Sequence, residues 1–175
     1  MGISIIKLEE GCCQYLNSLP LVDGDKFTDN EPTVDNILEC DDKYFLIEEK
    51  SFLLNFFRKS CEGKRKFGHF IKDGELNSDF LDFLASLDIK EKRKILKNSS
   101  EDLLSEIPKK VEVTLDYLEK EEKKKNSLNV ILYCESGTEI DKIASILFSR
   151  YNDEEENTIL ECNQLEKFLK IKGCA

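Results

Sequence analysis

The chain has 175 residues, 40% of them hydrophobic, enough for one substantial core, and a formal net charge of −10 from 36 acidic and 26 basic residues. That balance excludes a broad, sequence-independent grip on nucleic acid, where phosphate contacts supply most of the affinity, but it leaves room for a local basic patch. No window comes near the roughly 18 uninterrupted apolar residues of a membrane span, and the N-terminus lacks a basic flank and turns acidic at Glu9-Glu10, so neither membrane insertion nor a signal peptide is expected and the location is read as cytoplasmic.

In chain order, residues 3–17 read as a helix, with Ile5, Leu8, Cys12, Tyr15 and Leu16 at helical spacing and Pro20 closing it. A polar, turn-rich stretch from Asp23 to Glu31 leads into two apolar-rich runs, Val34 to Cys40 and Lys43 to Lys50, separated by Asp41-Asp42. This is the pattern of a β-hairpin. Centred on the Asp-Asp pair, it sets Leu38 opposite Phe45 and Asp35 opposite Glu48, with Lys50 on the same face as both acids. The run Phe52, Leu53, Leu54, Phe56 and Phe57 reads as a helix ending near Gly63 that anchors the hairpin on the core.

From Asn77 to Lys125 the pattern is helical throughout. Leu76, Phe80, Leu84 and Leu87 form one stripe, Asp88 with Glu91 forms a capping box, Ser100 opens a short helix, and Pro108 starts a longer one carrying Val111, Leu115 and Leu118 inward. Leu128 to Cys134 is then a buried strand, and Ser136-Gly137-Thr138 a loop whose Thr138 caps an amphipathic helix bearing Ile140, Ile143, Ala144, Leu147 and Tyr151. Thr158 to Cys162 is a second strand, and Leu165, Phe168 and Leu169 mark a closing helix. A strand, helix, strand unit forms a right-handed crossover onto a parallel pair. The expected class is α/β in a single domain, 1–175, with the α/β core in 1–63 and 127–175 and a helical insertion in 64–126.

Seven cysteines, an odd number with no Cys-x-x-Cys, accompany a single histidine, His69. Cys40 and Cys134 lie in apolar strand-like runs, as does Cys162, where a reduced thiol acts as a small hydrophobe. No zinc, no disulfide and a reducing compartment are therefore expected.

The hairpin is where spacing and chemistry converge. Two carboxylates directly opposite each other repel unless something positive lies between them. A divalent ion does this, and hard oxygen ligands suit magnesium or manganese; a lysine two residues along the face can act on a metal-bound water or on phosphate charge. The competing reading is a solvated hairpin face with salt bridging among Asp35, Glu48 and Lys50.

Asp35 on one strand, a turn, and Phe45-Leu46-Ile47-Glu48-Glu49-Lys50 on the next resemble the PD-(D/E)xK nuclease superfamily, with Pro32 three residues before the aspartate. The spacing is similar to that of archaeal Holliday-junction resolvases and restriction-endonuclease-like members, although no glutamine follows Lys50. The resemblance implies a mixed central sheet flanked by helices, a restriction-endonuclease-like core carrying the helical insertion. It further implies magnesium or manganese held by Asp35, Glu48 and the Glu49 backbone carbonyl, with Glu9 or Glu10 as a further acidic ligand. Lys50 would orient the attacking water for phosphodiester hydrolysis of DNA or RNA. Arg58, Lys59, Lys64, Arg65 and Lys66, followed by Lys72, form a basic cluster placed to meet a backbone phosphate; a solvated helical face is the alternative. A second class of function stands beside the nuclease: a non-catalytic module on a nuclease-like α/β scaffold that docks a protein through residues 77–125.

Overall fold

The structure, a computed structural model, describes residues 3–4, 13–27, 31–50, 58–59, 70–72, 75–121, 125–133 and 157–174. A five-stranded mixed sheet organises it, in the order β2 (Leu21–Asp23), β3 (Asn36–Glu39), β4 (Lys43–Lys50), β7 (Asn126–Tyr133), β8 (Asn157–Glu161). β2, β3 and β4 pair antiparallel in succession; β7 pairs parallel to β4, and β8 parallel to β7. The class is α/β, as expected. A separate small sheet joins β1 (Ile3–Ser4), β6 (Glu75–Leu76) and β5 (Ile71–Lys72).

Alternation along β4 sends its side chains to two different cores. Phe45 and Ile47 join Leu38, Leu128, Val130 and Leu132 on one face, where Leu165 and Leu169 of α4 (Leu165–Ile171) and Leu16 of a 3-10 turn (Gln14–Ser18) cover them. Tyr44 and Leu46 join Val34 and Ile37 on the other face, under Leu118 of α3 (Ile107–Lys120), with Val111 and Leu115 packed alongside. Both sets are almost solvent-free, and burying one such aliphatic or aromatic side chain contributes about 1.5–3 kcal/mol. A strand buried on both faces suits the near-continuous apolar run of β4.

Two further helices, α1 (Ser78–Ser86) and α2 (Ile89–Ser105), precede α3. The capping box at the start of α2 forms as expected: Glu91 N–H donates to Asp88 Oδ1 at 2.8 Å and Asp88 N–H to Glu91 Oε2 at 3.0 Å. The hairpin register is also the expected one, Leu38 facing Phe45 and Ile37 facing Leu46, and Cys40 N–H closes the turn on the Lys43 carbonyl at 2.9 Å.

Three expectations change, and one strand is new. The helix over 3–17 gives way to a strand at Ile3–Ser4 and a 3-10 turn at Gln14–Ser18, because Ile3 and Ser4 find ladder partners in Leu76 and Glu75; residues 5–12 lie outside the described set. Ser100 opens no new helix, since α2 runs through it to Ser105. Ahead of the turn-rich stretch from Asp23 stands a strand the sequence did not announce, β2, whose Leu21 pairs with Leu38. Finally, the cysteines are not all separate thiols: Cys40 and Cys174 form a disulfide, their Cα atoms 5.7 Å apart. Cys40 directly follows β3 and packs on the face covered by α4, and the chain after α4 folds back there, Cys174 N–H donating to the Leu169 carbonyl at 2.9 Å. Cys13 and Cys162 stand outside that disulfide, the Cys13 thiol donating to the Cys162 carbonyl at 3.6 Å. The expected helices over 52–63 and 140–151 and the Ser136-Gly137-Thr138 turn lie outside the described residues, apart from Arg58 and Lys59, which are helical.

Candidate active site

Asp35 stands immediately before β3, and Glu48, Glu49 and Lys50 close β4, so the hairpin register brings them together at one end of the sheet. Two backbone amides then fix the carboxylates. Asp35 N–H donates to Glu48 Oε2 at 3.0 Å, and Glu49 N–H donates to Asp35 Oδ2 at 2.9 Å. Each carboxylate is held by one oxygen and presents the other.

The presented oxygens meet cations. Lys50 Nζ lies 2.7 Å from Glu48 Oε1. A residue that the sequence reading read only as part of a helix supplies the second cation: Lys110, in the first turn of α3, contacts Glu48 Oε1 and lies 3.5 Å from Asp35 Oδ1. The Glu48 side chain is 2% exposed, Lys50 13%, Lys110 17% and Asp35 39%, so the cluster is sunk in the protein and open on the Asp35 side.

Why α3 reaches this spot follows from Thr114. Its hydroxyl, fully buried, accepts from Val34 N–H at 3.1 Å and donates to the Lys110 carbonyl at 2.7 Å, tying the helix to the segment that delivers Asp35. On the opposite flank Gly24 N–H donates to the Asp35 carbonyl at 3.2 Å, and a Cβ on Gly24 would run into the Val34 carbonyl. Only glycine permits that approach.

The charges shift one another. Burial raises the Asp35 pKa, and the Glu48 charge raises it further, against the Glu49 amide and the two lysines. Burial opposes the charge on Lys110, but its hydrogen bond to Glu48 and the fields of both acids outweigh this and hold its pKa above the usual lysine range. Glu49 projects to the other face, near Cys13 and Cys162. Burial and Asp35 raise its pKa, the Cys13 amide offsets part of this, and its Oε1 has no hydrogen-bond partner among the described residues.

The donors fit a hard divalent ion in kind: Asp35 Oδ1 and Glu48 Oε1 converge on a single point, now taken by the Lys110 ammonium. The N–H and C=O of a strand residue leave on the same side, so the Glu49 carbonyl faces the Asp35 side as well. No group of three or more Asp, Glu, His or Cys side chains is gathered for a metal among the described residues. Glu9 and Glu10 lie outside them, as do Lys64, Arg65 and Lys66; of the basic cluster, Arg58 is exposed and Lys59 half-buried. No helix among the described residues is long and apolar enough to cross a membrane. Compared with family models, curated proteins and solved structures, the chain matches none.

Proposed function

We propose that this chain is a metal-dependent phosphodiesterase acting on nucleic acid, built on a restriction-endonuclease-like core. The observation that carries this reading is the convergence of one oxygen each from Asp35 and Glu48, both oriented by backbone amides, beside the Lys50 ammonium. Strand order supports it: an antiparallel β2-β3-β4 meander followed by parallel β7 and β8, with the aspartate at the start of β3 and Glu-x-Lys at the end of β4, is the order expected of the superfamily that the motif resembles. Asp35, Glu48 and the Glu49 carbonyl are the groups that would hold magnesium or manganese, and such an ion, when bound, would supply Lewis acidity towards water and charge neutralisation towards phosphate. Glu48, tied to the Asp35 amide, keeps the pair aligned; Lys50 orients the attacking water or meets the charge growing on the phosphate.

One observation favours the second reading, a non-catalytic protein-interaction module. Two carboxylates face two ammonium groups, so the cluster is formally neutral without an ion.

The readings part in one set of measurements. For the nuclease, manganese raises the melting temperature by mass action, Asp35→Asn abolishes that rise, and Lys50→Ala keeps it while losing cleavage of branched, linear or single-stranded DNA or RNA. The interaction module gives no metal-dependent shift, no cleavage, and partner capture that depends on residues 77–125.

A further inference from the structure

The two acids are each anchored by one oxygen, and Lys110 bridges the remaining oxygens, Asp35 Oδ1 and Glu48 Oε1, the latter contacted by Lys50 as well. These are the oxygens an ion needs. An ammonium and a divalent cation cannot share that point, because like charges at contact distance repel.

We propose that Lys110 is a built-in competitor for the metal: its ammonium holds the acid pair together in the metal-free protein and leaves Oδ1 and Oε1 when an ion binds. This inference rests on the metal-dependent reading above. The helix need not withdraw for the exchange. Thr114 keeps α3 bonded to Val34 across 80 residues of sequence and also holds the Lys110 carbonyl, so the backbone of Lys110 stays in place. What moves is the side chain, four methylenes on a fixed Cα, swinging from the half-buried cluster towards its open Asp35 side. There it presents a cation beside the bound ion, where a nucleic-acid phosphate gives it a new acceptor. Metal and nucleic acid then favour one another's binding, since each removes a cost the other would meet alone.

Lys110→Met tests this by manganese titration in a calorimeter, with no substrate present. The competitor predicts that manganese binds the variant about tenfold or more tightly than the natural chain, the size expected from removing one like charge at contact distance under partial solvent screening. A merely structural salt bridge predicts the reverse, because the acids splay once their clamp is gone and affinity falls. Equal or weaker binding by Lys110→Met, with the natural chain still binding manganese, overturns the competitor and leaves the nuclease reading standing. Failure of both proteins to bind overturns both. Should the variant not fold, the natural protein carries the test: acetylation of Lys110, followed by peptide mass mapping, is slow without metal and accelerates severalfold in manganese, while an unchanged rate overturns the proposal.

Discussion

At residue scale, Glu49 gives the hairpin end two chemistries. Its amide and carbonyl face the Asp35 side, whereas its carboxyl is carried to the opposite side, where Oε1 lacks a hydrogen-bond partner among the described residues. Burial and the Asp35 charge raise its pKa above the ordinary 4.5, so the folded chain binds that proton more tightly than the unfolded one. Stability from this residue is therefore full below the unfolded value and is lost as pH rises through the folded value. Glu49→Gln, which stays neutral, is expected to melt higher than the natural chain at pH 7, and the gap closes as pH falls towards 4. A variant that melts lower at pH 7 contradicts the assignment. Lys110 shows why one member of the cluster escaped the sequence reading. The inward stripe of α3 was legible in Val111, Leu115 and Leu118, but Lys110 and Thr114, eight and four residues before Leu118, are polar. Polar residues on a charged helix read as solvated; only the spacing Lys110, Thr114, Leu118 held the signal.

At the scale of elements, the hairpin was legible because period-two alternation and a two-residue polar turn fix a register. Asp35, Glu48 and Lys50 could accordingly be brought together on paper. Strand β2 could not, since three residues between Pro20 and Gly24 carry no periodicity, nor could β1, which exists only through its pairing with β6. The docking of α3 was half legible, its apolar stripe visible and its polar anchor not. That anchor has a measurable strength. Thr114→Val keeps the side-chain shape but leaves the buried Val34 N–H without its acceptor, a loss of about 1–3 kcal/mol; urea denaturation should register it, and Thr114→Ser should recover most of it. A neutral Thr114→Val would mean that Leu118 and its neighbours alone seat the helix.

Over the whole molecule, the disulfide between Cys40 and Cys174 spans 134 residues and encloses β4, α3, β7, β8 and α4. A link closing so long a loop stabilises chiefly by restricting the unfolded chain, typically by about 2–4 kcal/mol. Alkylation and peptide mapping of denatured, unreduced protein should leave Cys40 and Cys174 unmodified, both should react after reduction, and the reduced protein should melt lower. Modification of Cys40 and Cys174 without reduction would return the pair to free thiols. Cysteine count and spacing could not reveal this pairing, because the two thiols approach only after the sheet and its C-terminal helix have assembled.

The 80 residues between Val34 and Thr114 also set a clock. Ribosomes add about 5–20 residues per second, so Val34 waits roughly 4–16 s for the Thr114 hydroxyl that will hold its amide, and β7, the hairpin's parallel neighbour, comes later still. During that interval Tyr44, Phe45, Leu46 and Ile47 form an apolar strand with an unpaired edge, the kind of surface that invites chaperones or other nascent chains. Asp35 and Glu48 meet in the same interval, across a hairpin that can close locally, before the lysine that will bridge them has been synthesised.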